Sequence, residues 1–476
     1  MSDGRLKKLV SNTALFGIST AAAKLISFLM LPVYTGILDT GQYGLADTVF
    51  HTGIFLIPVI SLCVHESVIR YGMEKNFRRR DIFTTGVLVI LGGLALLVIL
   101  SPFLRKIELV PKPMWLIICF CLMSALRSTV TGFVRASGFT RLFALDGIVT
   151  TVLTAGLSLL FLLVFKLGVT GFVLGTVAAD AFSALSMIIT LRLYRFFRPG
   201  GLYRPALREM LRYCVPLVPT AIFWAVTNLS DRFFITAMVG IDATGLYGVS
   251  ARIPTLITLV STVFIQAWQI SAFDGYSAKK EAARFYSTVY RCYSTLIFLA
   301  ASAVILLCKP LTVFLSDPSY HESWRYVPFL LLAVGFSCLV TFLGTIYNAA
   351  KKNAMVTVTT FIGAGINILL NWLLIPDYGP TGAAFATYVS YLIVFIVRAA
   401  DTRRYLRIDI QPFRLIIIVL LLLGQCYIAL AEVKLWVLWE ALIFLSLALL
   451  NLGNITYLVK SAMAIVFPAK KLTARD

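Results

Sequence analysis

About fourteen apolar stretches, each long enough to cross a lipid bilayer, follow one another along this chain. A membrane-spanning helix needs about 20 consecutive, mostly apolar residues, and short polar loops separate the stretches here. Only 13% of the 476 residues are charged, whereas a soluble domain carries about 25%. The chain therefore has too little polar surface to coat a water-soluble globule. We predict an all-α polytopic membrane protein.

The basic residues predict how the spans are oriented. The approximate bounds of the spans are residues 9–37, 43–70, 82–104, 114–134, 142–165, 170–190, 214–239, 245–272, 285–307, 327–347, 355–375, 381–397, 415–431 and 435–458. If the spans alternate, roughly 30 of the 42 Lys and Arg residues fall on the side of the N-terminus and about 7 on the opposite side. This bias predicts that both termini are cytoplasmic. It also explains the net charge of +20 without nucleic-acid binding.

Two short motifs recur and divide the chain into homologous halves. DTGQYG at residues 39–44 returns six spans later as DATGLYG at 242–248, and GVTG at 168–171 returns as GPTG at 379–382. Because six is even, both repeats enter the membrane from the same side, and a pseudo-twofold axis along the membrane normal relates them, with the binding site between them. The predicted units are an N-terminal six-helix lobe (1–196), a cytoplasmic basic linker (197–212), a C-terminal six-helix lobe (213–400), and two extra helices with a basic tail (401–476).

Cationic side chains inside the spans predict an anion site. An ionised side chain at mid-bilayer costs at least about 2.5–3.5 kcal/mol, so it usually faces a partner or a cavity. Lys24 and Arg252 lie near the middle of spans one and eight, which face each other in a pseudo-symmetric pair of lobes. A pyrophosphate-linked substrate would relieve the repulsion between two unmatched cations. Arg127 and Arg70 are candidate helpers at this site.

Each of these cations also has an ordinary interpretation. Lys24 could pair with Glu66 or Asp146, which lie in other spans of the same half. Arg70 lies at the end of a span and could extend its head group to the membrane surface. The sequence leaves these alternatives open.

A second cluster of polar residues predicts a cation site. Asp231 lies in the middle of span seven, Asn367 and Asn371 are one helical turn apart on span eleven, and Ala383 and Thr387 are one turn apart on span twelve. A spacing of four residues puts each pair on one helix face. Carboxylate, amide, hydroxyl and freed backbone oxygens together suit a small hard cation such as Na⁺. A hydrogen-bond network that only packs the helices explains the same residues equally well.

Other features are ambiguous or exclude some functions. The loop at 192–212, rich in Arg and aromatic residues, fits either an interfacial linker or a funnel for a phosphate-bearing lipid. The aliphatic run at 415–423 fits either a groove for a lipid tail or a lipid-facing helix. The eight Cys and three His residues lack metal-ligand spacing, and no motif for covalent chemistry is present. We therefore predict a transporter rather than an enzyme, with no cofactor except a coupling Na⁺ or H⁺.

The order of several motifs resembles the bacterial polysaccharide-biosynthesis flippase family. These motifs are SNTAL at 11–15, LPVY at 31–34, GQYG at 41–44, and Asp231-Arg232 followed by GLYG at 245–248. The resemblance covers essentially the whole chain. The family belongs to a superfamily that also contains the lipid II flippases and the multidrug and toxin extruders.

The resemblance implies alternating access between two lobes. An oligosaccharide linked to undecaprenyl pyrophosphate would load from the cytoplasmic face, and its tail would stay in the lipid. Glycosyltransferases and a polymerase of the same pathway would be partners. Arg252 is placed like an essential arginine on span eight of lipid II flippases. A sodium site of some members matches Asp231, Asn367, Asn371, Ala383 and Thr387, with Asn371 standing where a second carboxylate can occur.

Four alternative functions remain open at this point. The chain could be a lipid II flippase, or a cation-coupled multidrug extruder of the same superfamily, although such extruders have about twelve spans and a cavity suited to organic cations. A membrane glycosyltransferase or polymerase needs a carboxylate-bearing external loop, for which Asp317 and Glu322 are the modest candidates. The last alternative is a scaffold of a polysaccharide synthesis complex that transports nothing.

Overall fold

The computed structural model describes residues 17, 20–73, 77–106, 111–198, 203–274, 279–350, 352–457 and 460, and this part of the chain is helical, without β-strands. The helices are α1 Thr20–Thr35, α2 Thr40–Ser61, α3 Val64–Met73, α4 Arg79–Leu104, α5 Met114–Ala136, α6 Thr140–Leu159, α7 Gly168–Thr190, α8 Arg204–Cys214, α9 Leu217–Met238, α10 Ile241–Ser250, α11 Thr255–Asp274, α12 Lys279–Leu306, α13 Cys308–Leu315, α14 Val327–Ala349, α15 Asn353–Thr402, α16 Pro412–Leu430 and α17 Trp436–Leu450.

Several predicted spans are broken or merged helices. Span two is α2 and α3, which meet at Leu62 and Cys63, both in the left-handed region with φ of 48° and 56°. Span eight is α10 and α11, which form an angle of 47°. Spans eleven and twelve are the two arms of α15, which reverse at Gly379, where φ is +56°. A left-handed φ there suits glycine, which has no Cβ to clash with the backbone.

Within the described ranges, nine helices are long and apolar enough to cross a membrane, or ten when the bent pair α10–α11 is one span. The α1 and α17 helices are apolar but shorter, and the first part of predicted span one (residues 9–16, 18 and 19) lies outside the described residues. The protein is therefore a multi-pass helical membrane protein. The count of fourteen crossings stays a prediction.

The C-terminal half has an aromatic core. The Trp268 ring stacks on Phe342 with centroids 5.2 Å apart, and Tyr286 meets Trp268 edge-on at 4.7 Å. The last two helices join this core through polar pairs on α12, since Ser302 donates a hydrogen bond to Gln425 at 2.8 Å and Thr295 donates to Asn451 at 2.9 Å. Such interhelical pairs are typical of membrane interiors, where an unpaired polar group finds no water.

The two halves touch where the repeated glycine motifs meet. A Cβ on Gly44 would overlap the carbonyl oxygen of Ile241, and a Cβ on Gly245 would overlap the carbonyl oxygen of Thr40. Only glycine allows helix backbones to approach this closely. We call this end of the molecule, which contains Asp39 and Asp242, the acidic end. The opposite end, which contains the Arg-rich stretch 78–80 and α8, is the basic end.

The predicted linker contains the amphipathic helix α8, which packs against α3 at the basic end. Tyr71 on α3 donates a hydrogen bond to the carbonyl oxygen of Glu209 at 3.3 Å, and the Arg70 guanidinium lies 4.4 Å from the centre of the Tyr213 ring. The α8 helix is therefore docked on the N-terminal lobe.

Candidate functional site

A cavity of about 160 Å³ lies where the two lobes meet, and Arg252 is part of its wall. Arg252 Nε donates a hydrogen bond to the hydroxyl oxygen of Tyr43 at 3.3 Å. The other lining residues come from the N-terminal lobe; they are Ile26, Ser27, Met30, Leu31, Tyr34, Phe50, Thr151, Thr154, Ala155, Phe172 and Thr176. The C-terminal lobe thus contributes a cation to a cavity built mostly by the other lobe.

Lys24 reaches across the same interface from α1. Its Nζ donates to the hydroxyl of Thr258 at 3.2 Å and lies 3.4 Å from the hydroxyl of Thr262, both on α11. Among the described residues, neither Lys24 nor Arg252 lies within 4.0 Å of a carboxylate oxygen. The pairing of Lys24 with Glu66 or Asp146, considered from the sequence, does not occur.

Arg127 is placed differently. Its guanidinium lies 3.0 Å from Asp146 and 3.2 Å from Asp180, and its Nε donates to Ser183 at 3.1 Å. These contacts tie α5, α6 and α7 together within the N-terminal lobe. The structure does not bring Arg127 to the wall of the Arg252 cavity, and two carboxylates already balance its charge.

Arg70 also lies away from the Arg252 cavity. Its side chain is exposed at the basic end, where it contacts the Tyr213 and Tyr71 rings. A guanidinium over aromatic faces at a helix end fits an anchor at the membrane surface.

The structure brings the predicted cation ligands together around Asp231, which is 4% exposed. The Asp231 carboxylate accepts hydrogen bonds from Asn371 at 2.7 Å, Asn367 at 3.2 Å and Thr387 at 2.7 Å. Tyr247, which the sequence reasoning did not select, donates a fourth at 2.7 Å. Its position in the repeated GLYG motif is the signal that could have identified it.

The donor set fits a small cation in one respect and competes with it in another. The Oδ1 atom of Asn371 is buried and has no hydrogen-bond partner in the described structure, so one strong acceptor is available for a ligand. The Asp231 carboxylate, however, is already saturated by four donors, which a cation must partly displace. Ala383 is buried in the same apolar cluster as Tyr247. No group of three or more His, Cys, Asp or Glu side chains within the described ranges could hold a metal.

Polar contacts hold the lobes together at the acidic end. The buried Arg232 lies 2.6 Å from Asp47 of the other lobe. Thr40 donates to Asp242 at 2.6 Å, and the hydroxyl of Tyr320 donates to the carbonyl oxygen of Leu38 at 2.8 Å. Removing one partner of an ion pair that is buried between two halves is strongly destabilising, because the other charge stays buried without compensation. The acidic end is therefore closed by specific contacts.

At the basic end the lobes are separated by a cavity of about 520 Å³. Its wall includes residues of both lobes and of α8; they are Ile54, Pro58, Cys63, His65, Glu66, Tyr213, Leu217, Thr220, Ala221, Ala225, Val356 and Thr360. The molecule is thus closed at one end and hollow between the lobes at the other.

Solved structures of membrane transporters share this fold. The lipid II flippase MurJ in an inward closed conformation superposes with a TM-score of 0.69 at 14% identity, covering 94% of this chain and 100% of that one. An outward-facing multidrug resistance MATE family transporter of the MOP superfamily gives 0.60 at 12% identity, covering 83% and 94%. A mutant of the Vibrio cholerae MATE transporter VcmN gives 0.55 at 15%, covering 84% and 96%. No curated protein sequence matches the chain.

A family model also matches the sequence itself. The model described as polysaccharide biosynthesis protein aligns with residues 9–269, which is more than half of the chain and includes Lys24, Asp231 and Arg252. The chain belongs to the polysaccharide biosynthesis protein family.

Proposed function

We propose that the protein is a flippase that moves an undecaprenyl-pyrophosphate-linked oligosaccharide from the cytoplasmic to the outer leaflet for the synthesis of a cell-surface polysaccharide. One observation carries this proposal: Lys24 and Arg252 lie between the lobes, and among the described residues neither has a carboxylate oxygen within 4.0 Å. Asp47, the carboxylate that interacts with Arg252 at longer range, is paired directly with Arg232. Two such cations in a membrane interior are unfavourable unless a ligand compensates them. A pyrophosphate supplies the opposite charge and accepts charge-assisted hydrogen bonds from both.

The shape of the molecule supports loading from the basic end. The ion pair Asp47–Arg232 closes the acidic end, while the basic end has a cavity of about 520 Å³ between the lobes. The excess of basic loops assigns the basic end to the cytoplasm. The head group enters there, the lobes close behind it, and the acidic end opens to release it, while the polyprenyl tail stays in lipid. The two-lobe fold shared with MurJ and MATE transporters supports this sequence of states.

The Asp231 cluster supports coupling to a cation gradient. Asp231 and the unpaired Asn371 Oδ1 atom offer anionic and neutral oxygens within the C-terminal lobe. A Na⁺ or H⁺ bound there would release Asp231 from some of its donors, among them Tyr247 on α10. Since α10 also forms the closed acidic end, a change at Asp231 reaches the contact between the lobes.

Reconstituted transport tests this function. In proteoliposomes that contain a labelled undecaprenyl-pyrophosphate oligosaccharide, we expect Arg252→Ala to lower the flipping rate at least tenfold, because losing one charged contact to the pyrophosphate costs about 1.5–3 kcal/mol. Arg252→Lys should retain part of the rate. Arg407→Ala, which removes an exposed arginine at the basic end, is the matched control and should transport normally.

Three results distinguish the alternatives. Full transport by correctly inserted Arg252→Ala protein would contradict the anion site. Lipid II carries the same pyrophosphate. If the protein transports lipid II faster than the oligosaccharide lipid, its function lies in peptidoglycan synthesis. Export of cationic dyes without any lipid flipping would identify a multidrug extruder.

A further inference from the structure

The far end of α15 carries a buried arginine that the mechanism above does not use. Arg398 is 4% exposed. Its Nε donates to the hydroxyl of Thr359 at 2.9 Å, and its terminal nitrogens donate to the carbonyl oxygen of Val340 at 2.9 Å, the carbonyl oxygen of Val356 at 3.2 Å and the hydroxyl of Thr360 at 3.3 Å. All of these acceptors are neutral.

No carboxylate in the described part of the chain balances this charge. Asp401, one turn further along α15, accepts a hydrogen bond from the Tyr347 hydroxyl at 2.9 Å and pairs with the exposed Arg404 at 3.6 Å. Arg398 differs in this respect from Arg127 and Arg232, which both contact carboxylates directly. A guanidinium stays ionised even when it is buried, so its charge remains to be satisfied.

Arg398 faces a cavity of about 270 Å³ in the C-terminal lobe. Hydroxyl and amide side chains from α14 and both arms of α15 line it; the polar lining residues are Ser337, Thr341, Thr345, Asn348, Thr360, Ser390 and Tyr391. The cavity shares Val356 and Thr360 with the larger cavity at the basic end. The two cavities are therefore neighbours that adjoin at these two residues.

The size and chemistry of this cavity select a class of ligand. Pockets for drug-sized molecules occupy about 300–1,000 Å³, so 270 Å³ suits a smaller unit. Hydroxyl and amide groups match the hydroxyls of a sugar. Arg398 already donates four of its five N–H groups, so a carboxylate or phosphate would take the remaining N–H or displace the Thr360 hydroxyl, which is the longest of the four contacts. Val340, Val356 and Val394 add aliphatic surface to the wall, so the cavity is mixed in character. The uncompensated charge of Arg398, rather than the polarity of the wall, is what argues for an anionic ligand.

We propose that the Arg398 cavity binds an acidic sugar, carrying a carboxylate or a phosphate group, of the glycan that the flippase transports. This inference rests on the proposed function and adds a substrate class to it. Arg252 holds the pyrophosphate that every such lipid carries, and Arg398 recognises a charge that only some glycans carry. The C-terminal lobe thereby selects among lipid-linked glycans.

Ligand-dependent thermal stability of the detergent-solubilised full-length protein tests the proposal. The probes are glucuronate, glucose 1-phosphate, neutral glucose and inorganic pyrophosphate. We expect the two acidic sugars to raise the melting temperature and glucose to leave it unchanged. Arg398→Met, which keeps a long unbranched side chain but removes the charge, should weaken acidic-sugar binding at least tenfold. Arg252→Ala should leave that binding intact and lose the response to pyrophosphate.

A second set of variants keeps the test decisive if Arg398→Met fails to fold. Arg398→Lys retains the charge without the planar guanidinium. Thr341→Val removes a hydroxyl that lines the cavity and donates to the carbonyl oxygen of Ser337 rather than to Arg398. Each should weaken acidic-sugar binding severalfold in a folded protein. Equal stabilisation by glucose and glucuronate, or an unchanged glucuronate response in these variants, would show that Arg398 only clamps α14 to α15. If Arg252→Ala keeps its response to pyrophosphate while the Arg398 variants lose acidic-sugar binding, the pyrophosphate site is wrong and the acidic-sugar site still holds.

Discussion

The two lobes place polar clusters at equivalent positions of the repeat and give them opposite chemistry. The spacing of 204 residues that separates Tyr43 from Tyr247 carries Asp231 onto Ser27. Ser27 and Tyr43 line the cavity that contains Arg252, whereas Tyr247 donates its hydroxyl to Asp231. One tyrosine therefore accepts a hydrogen bond from a cation, and its counterpart donates one to an anion.

The same correspondence holds for α7 and the second arm of α15. The spacing of 211 residues between Gly168 and Gly379 carries Thr387 onto Thr176. Thr387 donates to Asp231 at 2.7 Å, and Thr176 lines the Arg252 cavity. The Arg252 cavity and the Asp231 cluster thus occupy equivalent positions of the sequence repeat, and the charge at a few positions distinguishes them.

On the proposed function, this difference would let one fold bind two ions of opposite sign. Binding energy at either pocket can shift the same contact between the lobes, because α10 carries Tyr247 and also packs against α2. Coupling between two sites requires that each ligand favour one of two arrangements of a shared element. We infer that the pairing of α2 with α10 is that element.

The largest expected effect comes from removing the charge at position 231. Asp231→Asn keeps the size of the side chain but presents an amide to donors such as Tyr247 and Thr387. We expect loss of the stabilisation by the coupling cation, which amounts to about 1.4 kcal/mol at ten times its Kd, and at least a hundredfold slower transport. Thermal unfolding in NaCl and in choline chloride, each at two pH values, measures the stabilisation by the cation. Asp377→Asn, an exposed carboxylate of the same lobe, is the control.

The same experiment distinguishes Na⁺ from H⁺ as the coupling cation. Sodium coupling predicts that choline chloride removes the stabilisation, and proton coupling predicts that only pH changes it. A response to Na⁺ that survives in Asp231→Asn would place the cation elsewhere.

A smaller effect is expected when the N-terminal pocket is made to resemble its counterpart. Ser27→Asp puts a carboxylate into the wall of the Arg252 cavity. Because Ser27 lines that cavity, the new charge faces the space between the lobes rather than a packed helix interface. It should neutralise part of the cationic field and weaken pyrophosphate binding about tenfold, or about 1.4 kcal/mol. Ser27→Asn is the matched neutral variant and should bind within about twofold; equal losses in both variants would indicate a steric effect.

Much of the helical scaffold was predictable because the bilayer imposes a strong pattern on the sequence. Apolar stretches indicated a helical multi-pass membrane protein, and the order of the motifs indicated the family; the structure and the family comparison agree with both. The division into two repeated lobes stays a prediction. The set around Asp231 was predictable for a similar reason: Asn367 and Asn371 lie one turn apart, so one helix face must carry both.

The partners of individual charges were not predictable, because they depend on how helices far apart in sequence pack. Nothing in the sequence indicates that Arg127 meets Asp146 and Asp180 while Lys24 meets hydroxyls of α11. The burial of Arg398 was not predicted, because this residue lies just beyond the expected end of span twelve, where the sequence predicted a loop. The helix continues to Thr402 and buries it.

The smallest expected effects separate the two tyrosines. Tyr247→Phe removes a hydrogen bond of 2.7 Å to a buried carboxylate and should destabilise the cation-free protein by about 1.5–3 kcal/mol. Tyr43→Phe removes a longer and therefore weaker contact with Arg252, at 3.3 Å, and should cost about 1 kcal/mol or less. Because the Tyr247 hydroxyl competes with a cation for Asp231, its loss should enlarge the stabilisation by the coupling ion. Thermal unfolding with and without that ion measures both effects, and similar changes in the two variants would mean that the pockets have not diverged as their charges indicate.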